Sequence, residues 1–135
     1  MAAITWFDGE WHGGSPAIMG PMSQSFMHGS VVFDGARAFG RRAPDLDRHC
    51  ARLIRSAEVL GLHTALTAGA VCVRAVEGIK RFPPEAELYI RPALFAEDGF
   101  LIPEGEARFA LTLFEVAMPA PTGFTACLST FRRPD

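Results

Sequence analysis

The chain has 135 residues, 49% of them apolar and 21% charged, with a net charge of −2 at pH 7. That length and composition suit one globular domain with a real core and exclude an intrinsically disordered chain. The near-neutral balance, without a long run of one sign, argues against a nucleic-acid partner, and no window approaches the ~20 consecutive apolar residues of a membrane-spanning helix.

The first third reads as strand and turn. Ile4–Phe7, Asp8-Gly9 and Glu10–His12 carry an Asp-Gly hairpin signal between short β-prone runs. Gly13-Gly14-Ser15-Pro16 and Gly20-Pro21 punctuate loops. Residues 30–39 predict a strand with a bend or a close backbone approach at Gly35. Pro44 and Asp45 open a first helix whose apolar face is Leu46, Cys50, Leu53, Ala57 and Leu60, closed by Gly61. Thr67 caps a second helix with Val73, Val76 and Ile79 predicted on its inner face, and Pro83-Pro84 stops it. Three further strands are predicted over 87–96, 109–118 and 124–131, with a long loop at 97–105. The order strands, helices, strands predicts an α+β domain over residues 1–135, a largely antiparallel sheet with two helices on one side.

The N-terminus has neither the basic start nor the apolar core of a signal peptide. Cys50, Cys72 and Cys127 are scattered, with no Cys-x-x-Cys pair, so neither a disulfide framework nor a zinc site is favoured. They read as small hydrophobes in a reducing, cytoplasmic compartment, and no metal is expected.

A few residues can carry chemistry. Arg52 lies mid-helix, where most arginines are simply solvated, but a guanidinium also offers a planar pair of donors to a phosphate. Tyr89 and Arg91 share one strand face, where hydroxyl and guanidinium together make a carboxylate receptor; the plain alternative is a half-exposed strand face. Phe33, Gly35 and Arg37 also share a face. His28 carries an imidazole that can still donate one hydrogen bond to a carboxylate. His12, His49 and His63 show no ligand spacing. Lys80 is the only lysine, in a helix-end position that the helix dipole favours without any catalytic role.

Three motifs in order, His28-Gly-Ser-Val-Val-Phe-Asp-Gly-Ala-Arg37, Arg52-Leu-Ile-Arg-Ser-Ala57 and Tyr89-Ile-Arg-Pro92, resemble the opening domain of the fold-type IV (class IV) pyridoxal-phosphate aminotransferases. The likeness is greatest to the branched-chain amino acid enzymes. It implies pyridoxal 5'-phosphate as cofactor, with Arg52 on its phosphate. It implies amino acid and 2-oxo acid substrates, the amino group passing from a branched-chain L-amino acid to 2-oxoglutarate. Phe33 would line the substrate pocket and Gly35 leave room in it. Tyr89 would help hold the α-carboxylate and Arg91 the distal carboxylate of glutamate. Phe100 and Leu101 would lie in a loop that closes the neighbouring subunit's pocket, which implies a homodimer.

The Schiff-base lysine of the family is expected beyond Asp135, after the lead-in Ser129–Asp135, so the chain is expected to be an N-terminal small domain, inactive alone. His28 stands where the branched-chain enzymes usually have tyrosine. A histidine there is also seen in R-selective amine transaminases, which keeps that activity as an alternative, with D-amino acid transaminase and aminodeoxychorismate lyase of the same fold. A non-catalytic binding module is the reading if no lysine domain follows.

Overall fold

The structure, a computed structural model, describes residues 2–132. Strand β1 (Ala3–Phe7) turns through Asp8 and Gly9, both at positive φ, into β2 (Glu10–Gly13). Two successive left-handed residues are what a tight primed hairpin turn requires, and Asp-Gly supplies them at little cost. A short helix α1 (Gln24–His28) follows, closed by Gly29 at φ 73°. Next come β3 (Val31–Phe33), β4 (Ala36–Ala38), helices α2 (Leu46–Val59) and α3 (Ala68–Ile79), and the long strands β5 (Leu88–Phe95) and β6 (Arg108–Glu115). The strands form one antiparallel sheet in the order β2-β1-β6-β5-β3, with β4 also on β5.

The α+β class stands, with α1 as an addition that its five residues hid from any periodicity argument. β3 and β4 keep one continuous register on β5: Phe33 faces Ala93 and Ala36 faces Ile90. The break between them has a covalent cause. Asp34 donates its N–H to the Pro92 carbonyl at 3.1 Å, but Pro92 has no N–H to return, so the ladder loses its reciprocal bond there. The predicted close approach at Gly35 is real: a Cβ built there would meet the Tyr89 hydroxyl and sit 2.8 Å from its Cζ.

α2 and α3 cover one face of the sheet. Leu46, Cys50, Leu53 and Ala57 of α2 meet Val71, Ala75 and Ile79 of α3 over Ile90, Leu94, Leu111 and Leu113 of the strands. Gly61 (φ 76°) ends α2, with the Leu62 N–H returning to the Ala57 carbonyl in a Schellman arrangement. Thr67 caps α3 through its hydroxyl, which accepts from the Ala70 N–H. Three inner-face assignments are corrected. Val73 and Val76 point outward, 69% and 41% exposed, and Leu60 is also exposed. The buried stripe of α3 is instead Val71, Ala75, Gly78 and Ile79, a shift that puts small residues against the sheet. The strand predicted over 124–131 is absent. No strand lies beside it among the described residues to pair its backbone, and Phe124, Leu128 and Phe131 are exposed.

The opposite face of the sheet is covered only in part. Phe7 stacks on Phe95 with centroids 6.3 Å apart, packed with Ala110 and Ile18. Beyond that patch the face lies open around Phe33, Tyr89 and Arg91. Cys50 is buried, which pushes its thiol well above the ordinary range, whereas Cys127 is exposed.

Candidate functional site

The pleat sorts residues 32–38 onto two sides. Val32, Asp34, Ala36 and Ala38 turn toward the helices, and Phe33, Gly35 and Arg37 toward the open face. Each side carries one half of the candidate site.

On the helix side Asp34 is 6% exposed and meets the face of α2 that carries His49 and Arg52, three residues apart. The Arg52 Nε donates to Asp34 Oδ2 at 2.7 Å and Nη2 to Oδ1 at 2.8 Å. His49 Nδ1 lies 2.7 Å from Oδ1, and the Gly35 N–H donates to the same oxygen at 2.8 Å. A nitrogen that close to a carboxylate oxygen must carry the proton, so His49 is a donor at Nδ1 and its 3.0 Å contact with Arg52 Nη2 is a crowding of two donors. Burial alone would raise the Asp34 carboxyl. The hydrogen bonds from Arg52 and His49, with the Arg52 charge, outweigh it and hold the group below the ordinary 3.8. The same pairing raises Arg52.

Arg52 remains half-exposed and borders an open cleft of about 400 Å³ along the edge strand. Val32, Val59 and Leu60 make its apolar wall, and Arg52, Arg55 and Ser56 its polar rim. Two guanidinium groups and a hydroxyl on one rim fit the dianion of a phosphate monoester, whose oxygens accept hydrogen bonds.

On the open side Arg91 sits over three rings, with its Cζ 5.8 Å from the centroid of Phe33, 5.6 Å from Tyr89 and 5.5 Å from Phe114. Ring faces attract the cation without consuming its N–H donors, so Arg91 stays exposed with its hydrogen-bonding capacity intact. Gly35 lies beneath the Tyr89 hydroxyl, and any side chain there would displace the ring. Arg37 proves to be a support: Nη2 donates to the Val116 carbonyl at 2.6 Å, and the group pairs with Glu87 at 3.8 Å.

Phe33, Gly35, Tyr89 and Arg91 are thus brought together, and Arg52 lies on the other side of the same strand. His28 is exposed in the last turn of α1 and is not among the groups around Arg91. Phe100 and Leu101 stand out from their loop, 74% and 72% exposed. Lys80 caps the C-terminus of α3 and belongs to neither half. Three participants escaped the sequence reading. Phe114 looked like one more strand residue. Asp34 was passed over between Phe33 and Gly35. His49 was set aside for want of ligand spacing, although one helical turn separates it from Arg52, and that spacing was the available signal.

The family model for class IV amino-transferases matches residues 31–135. The chain belongs to the class IV aminotransferase family. It is 44% identical to an aminotransferase from Brucella abortus whose crystal structure holds the cofactor PLP, with a TM-score of 0.93 over 99% of this chain and 49% of that one. A Rickettsia conorii protein described as a "probable branched-chain-amino-acid aminotransferase" is 32% identical over 80 residues, 59% of this chain and 27% of that protein. The branched-chain aminotransferase of Thermoproteus uzoniensis, solved with norvaline, shares the fold at a TM-score of 0.70 and 24% identity, over 88% of this chain and 42% of that one. The chain therefore spans about half, or less, of the length of these relatives.

Proposed function

We propose that the chain is the N-terminal small domain of a pyridoxal-phosphate aminotransferase acting on branched-chain L-amino acids and 2-oxoglutarate, with the cofactor-bearing lysine in sequence that follows Asp135. The observation that carries this reading is the two-sided strand: Asp34 grips Arg52 beside an anion-compatible cleft, while its neighbour Gly35 lies under Tyr89 beside Arg91. PLP in the Brucella relative and the branched-chain relatives support the same reading.

When bound, pyridoxal phosphate supplies an aldehyde that accepts the amino group and a ring that stabilises negative charge at Cα. The chain's own residues bind and orient. Arg52, backed by Arg55 and Ser56, takes the phosphate. The Tyr89 hydroxyl donates to an α-carboxylate. The apolar side of the pocket is Phe33, with the space over Gly35, and the Arg91 guanidinium meets a second carboxylate at the rim of the same pocket. Phe100 and Leu101 reach the pocket of a second subunit in a cytoplasmic homodimer.

The test is single-turnover kinetics of the intact, PLP-loaded protein with leucine, isoleucine and glutamate in turn. Amino transfer from all three is expected; none from leucine or isoleucine would overturn the branched-chain assignment. The exposed His28 before Gly29 favours one second reading, an R-selective amine transaminase. Turnover of 1-phenylethylamine without turnover of leucine would select it.

A further inference from the structure

We propose that Asp34 is the positioning residue that aims Arg52 at a phosphate monoester, so that the carboxylate, itself out of reach of the ligand, sets how strongly the phosphate is held. The inference rests on the cofactor reading above and deepens it.

The argument is one of donor geometry. A guanidinium has five N–H donors, which form two forked edges. Asp34 occupies the side-on edge, Nε with one hydrogen of Nη2, at 2.7 and 2.8 Å. Nη1 and the second Nη2 hydrogen form the end-on edge, and Nη1 has no protein acceptor among the described residues. A planar group gripped along one edge can present only the other, and Arg52 borders the cleft. Asp34 is itself held from several sides. It is buried, its backbone N–H is bonded to Pro92, and its Oδ1 also accepts from Gly35 and His49. A free, half-exposed arginine would have to be ordered when the ligand arrives; one already held does not, and the difference appears as affinity. Arg55 lines the same cleft with no hydrogen-bonded carboxylate of its own among the described residues, so it contributes charge without that aim.

The experiment uses the intact protein stripped of cofactor and titrated, by absorbance or fluorescence, with pyridoxal phosphate and with pyridoxal, which has the same ring and aldehyde but no phosphate. The wild type should prefer the phosphorylated ligand and Arg52→Ala should erase the preference. If either fails, the phosphate reading itself falls. Provided both hold, Asp34→Asn should weaken pyridoxal phosphate binding about tenfold, in line with loss of a charge-assisted hydrogen bond, and leave pyridoxal unchanged. Added to Arg52→Ala it should cost nothing further. Equal losses for both ligands, unchanged preference, or additive losses would overturn the role while leaving Arg52 as the clamp. Should Asp34→Asn fail to fold, Arg52→Lys decides. It keeps the charge and the pairing but has no second edge, and it should lose most of the preference; a fully retained preference would show that a point charge suffices.

Discussion

Asp34 is a buried carboxylate held by Arg52, His49 and the Gly35 N–H. Its folded carboxyl is held below the ordinary value, so its contribution to stability is fully present above the unfolded value of 3.8 and is lost as pH falls through the folded one. Acid denaturation below about pH 4 should therefore be steeper in the wild type than in Asp34→Asn, which has no proton to take up there. Thermal melts from pH 2 to 7 check this, and parallel profiles would remove Asp34 from the account. Gly35 is constrained by space alone, since its φ is not left-handed. Gly35→Ala should destabilise by about 1–3 kcal/mol through overpacking, and Tyr89→Ala in the same molecule should relieve that part, as denaturant midpoints would report. For Arg91, rings can hold the cation but cannot replace its N–H donors. Arg91→Met should slow the glutamate half-reaction about ten- to a hundredfold and the leucine one much less. Equal losses would mean that Arg91 holds a carboxylate common to both.

Among the elements, α3 sits on the sheet through its small residues. Gly78 lets the helix approach until a Cβ would lie 2.6 Å from the Trp11 ring and 2.8 Å from Leu113. Two effects oppose each other in Gly78→Ala. Helix propensity favours alanine by up to about 1 kcal/mol. Crowding a fully buried Leu113 costs about 1–3 kcal/mol, and crowding should win. A higher melting temperature would show that Trp11 yields instead. Trp11 is itself tied to α3 by a 2.9 Å hydrogen bond from its indole N–H to Glu77, which lowers the Glu77 carboxyl. This packing explains what the sequence disclosed of each helix. In α2 the apolar residues at three- and four-residue steps, Leu46 to Leu60, mark the buried side, and all but Leu60 are buried. In α3 valines stand on both sides, Val71 in and Val73 and Val76 out, so the side that also carries Ala75 and Gly78 is chosen by how close the backbone must come. Hydrophobicity reports area, and the approach here is set by small volume. The Asp-Gly turn was legible because its backbone demand is local, and the absent strand over 124–131 was not, because a strand needs a partner that local sequence does not name.

At the level of the molecule, the apolar loop residues Phe100, Leu101 and Ile102 stand 68–74% exposed on a hairpin-like loop bridged at Asp98 and Glu104. Leaving such side chains in water forfeits about 25 cal/mol for each Å² they could bury. If they meet a second subunit, Phe100→Ser with Leu101→Ser should raise KM for leucine more than for glutamate, and light scattering of the intact protein should give a dimer. A fully active monomer would contradict both. Much of the open-face site was legible because a strand's alternation puts Phe33 with Gly35 and Tyr89 with Arg91 whatever the fold around them. The Asp34–His49–Arg52 network was not, because it joins a strand to a helix, and that meeting is decided by packing.

The unbroken register of β3 and β4 on β5 also bears on how this gene can change in length. Residues 34–35 resemble a connector, where insertions and deletions are usually tolerated. Here the loss of a single codon would slide β4 by one place and reverse its faces. Arg37 would then be driven beneath α2, and Ala36 and Ala38 turned out to the open side, abolishing core and pocket together. The loop at 99–105 joins β5 to β6 and imposes no such parity on either strand. Folded length variants should therefore be recovered at 99–105, where the reach of Phe100 and Leu101 is at stake but the core is not, and be lost at 34–35, a pattern that deep insertion–deletion scanning read out by folding would show directly.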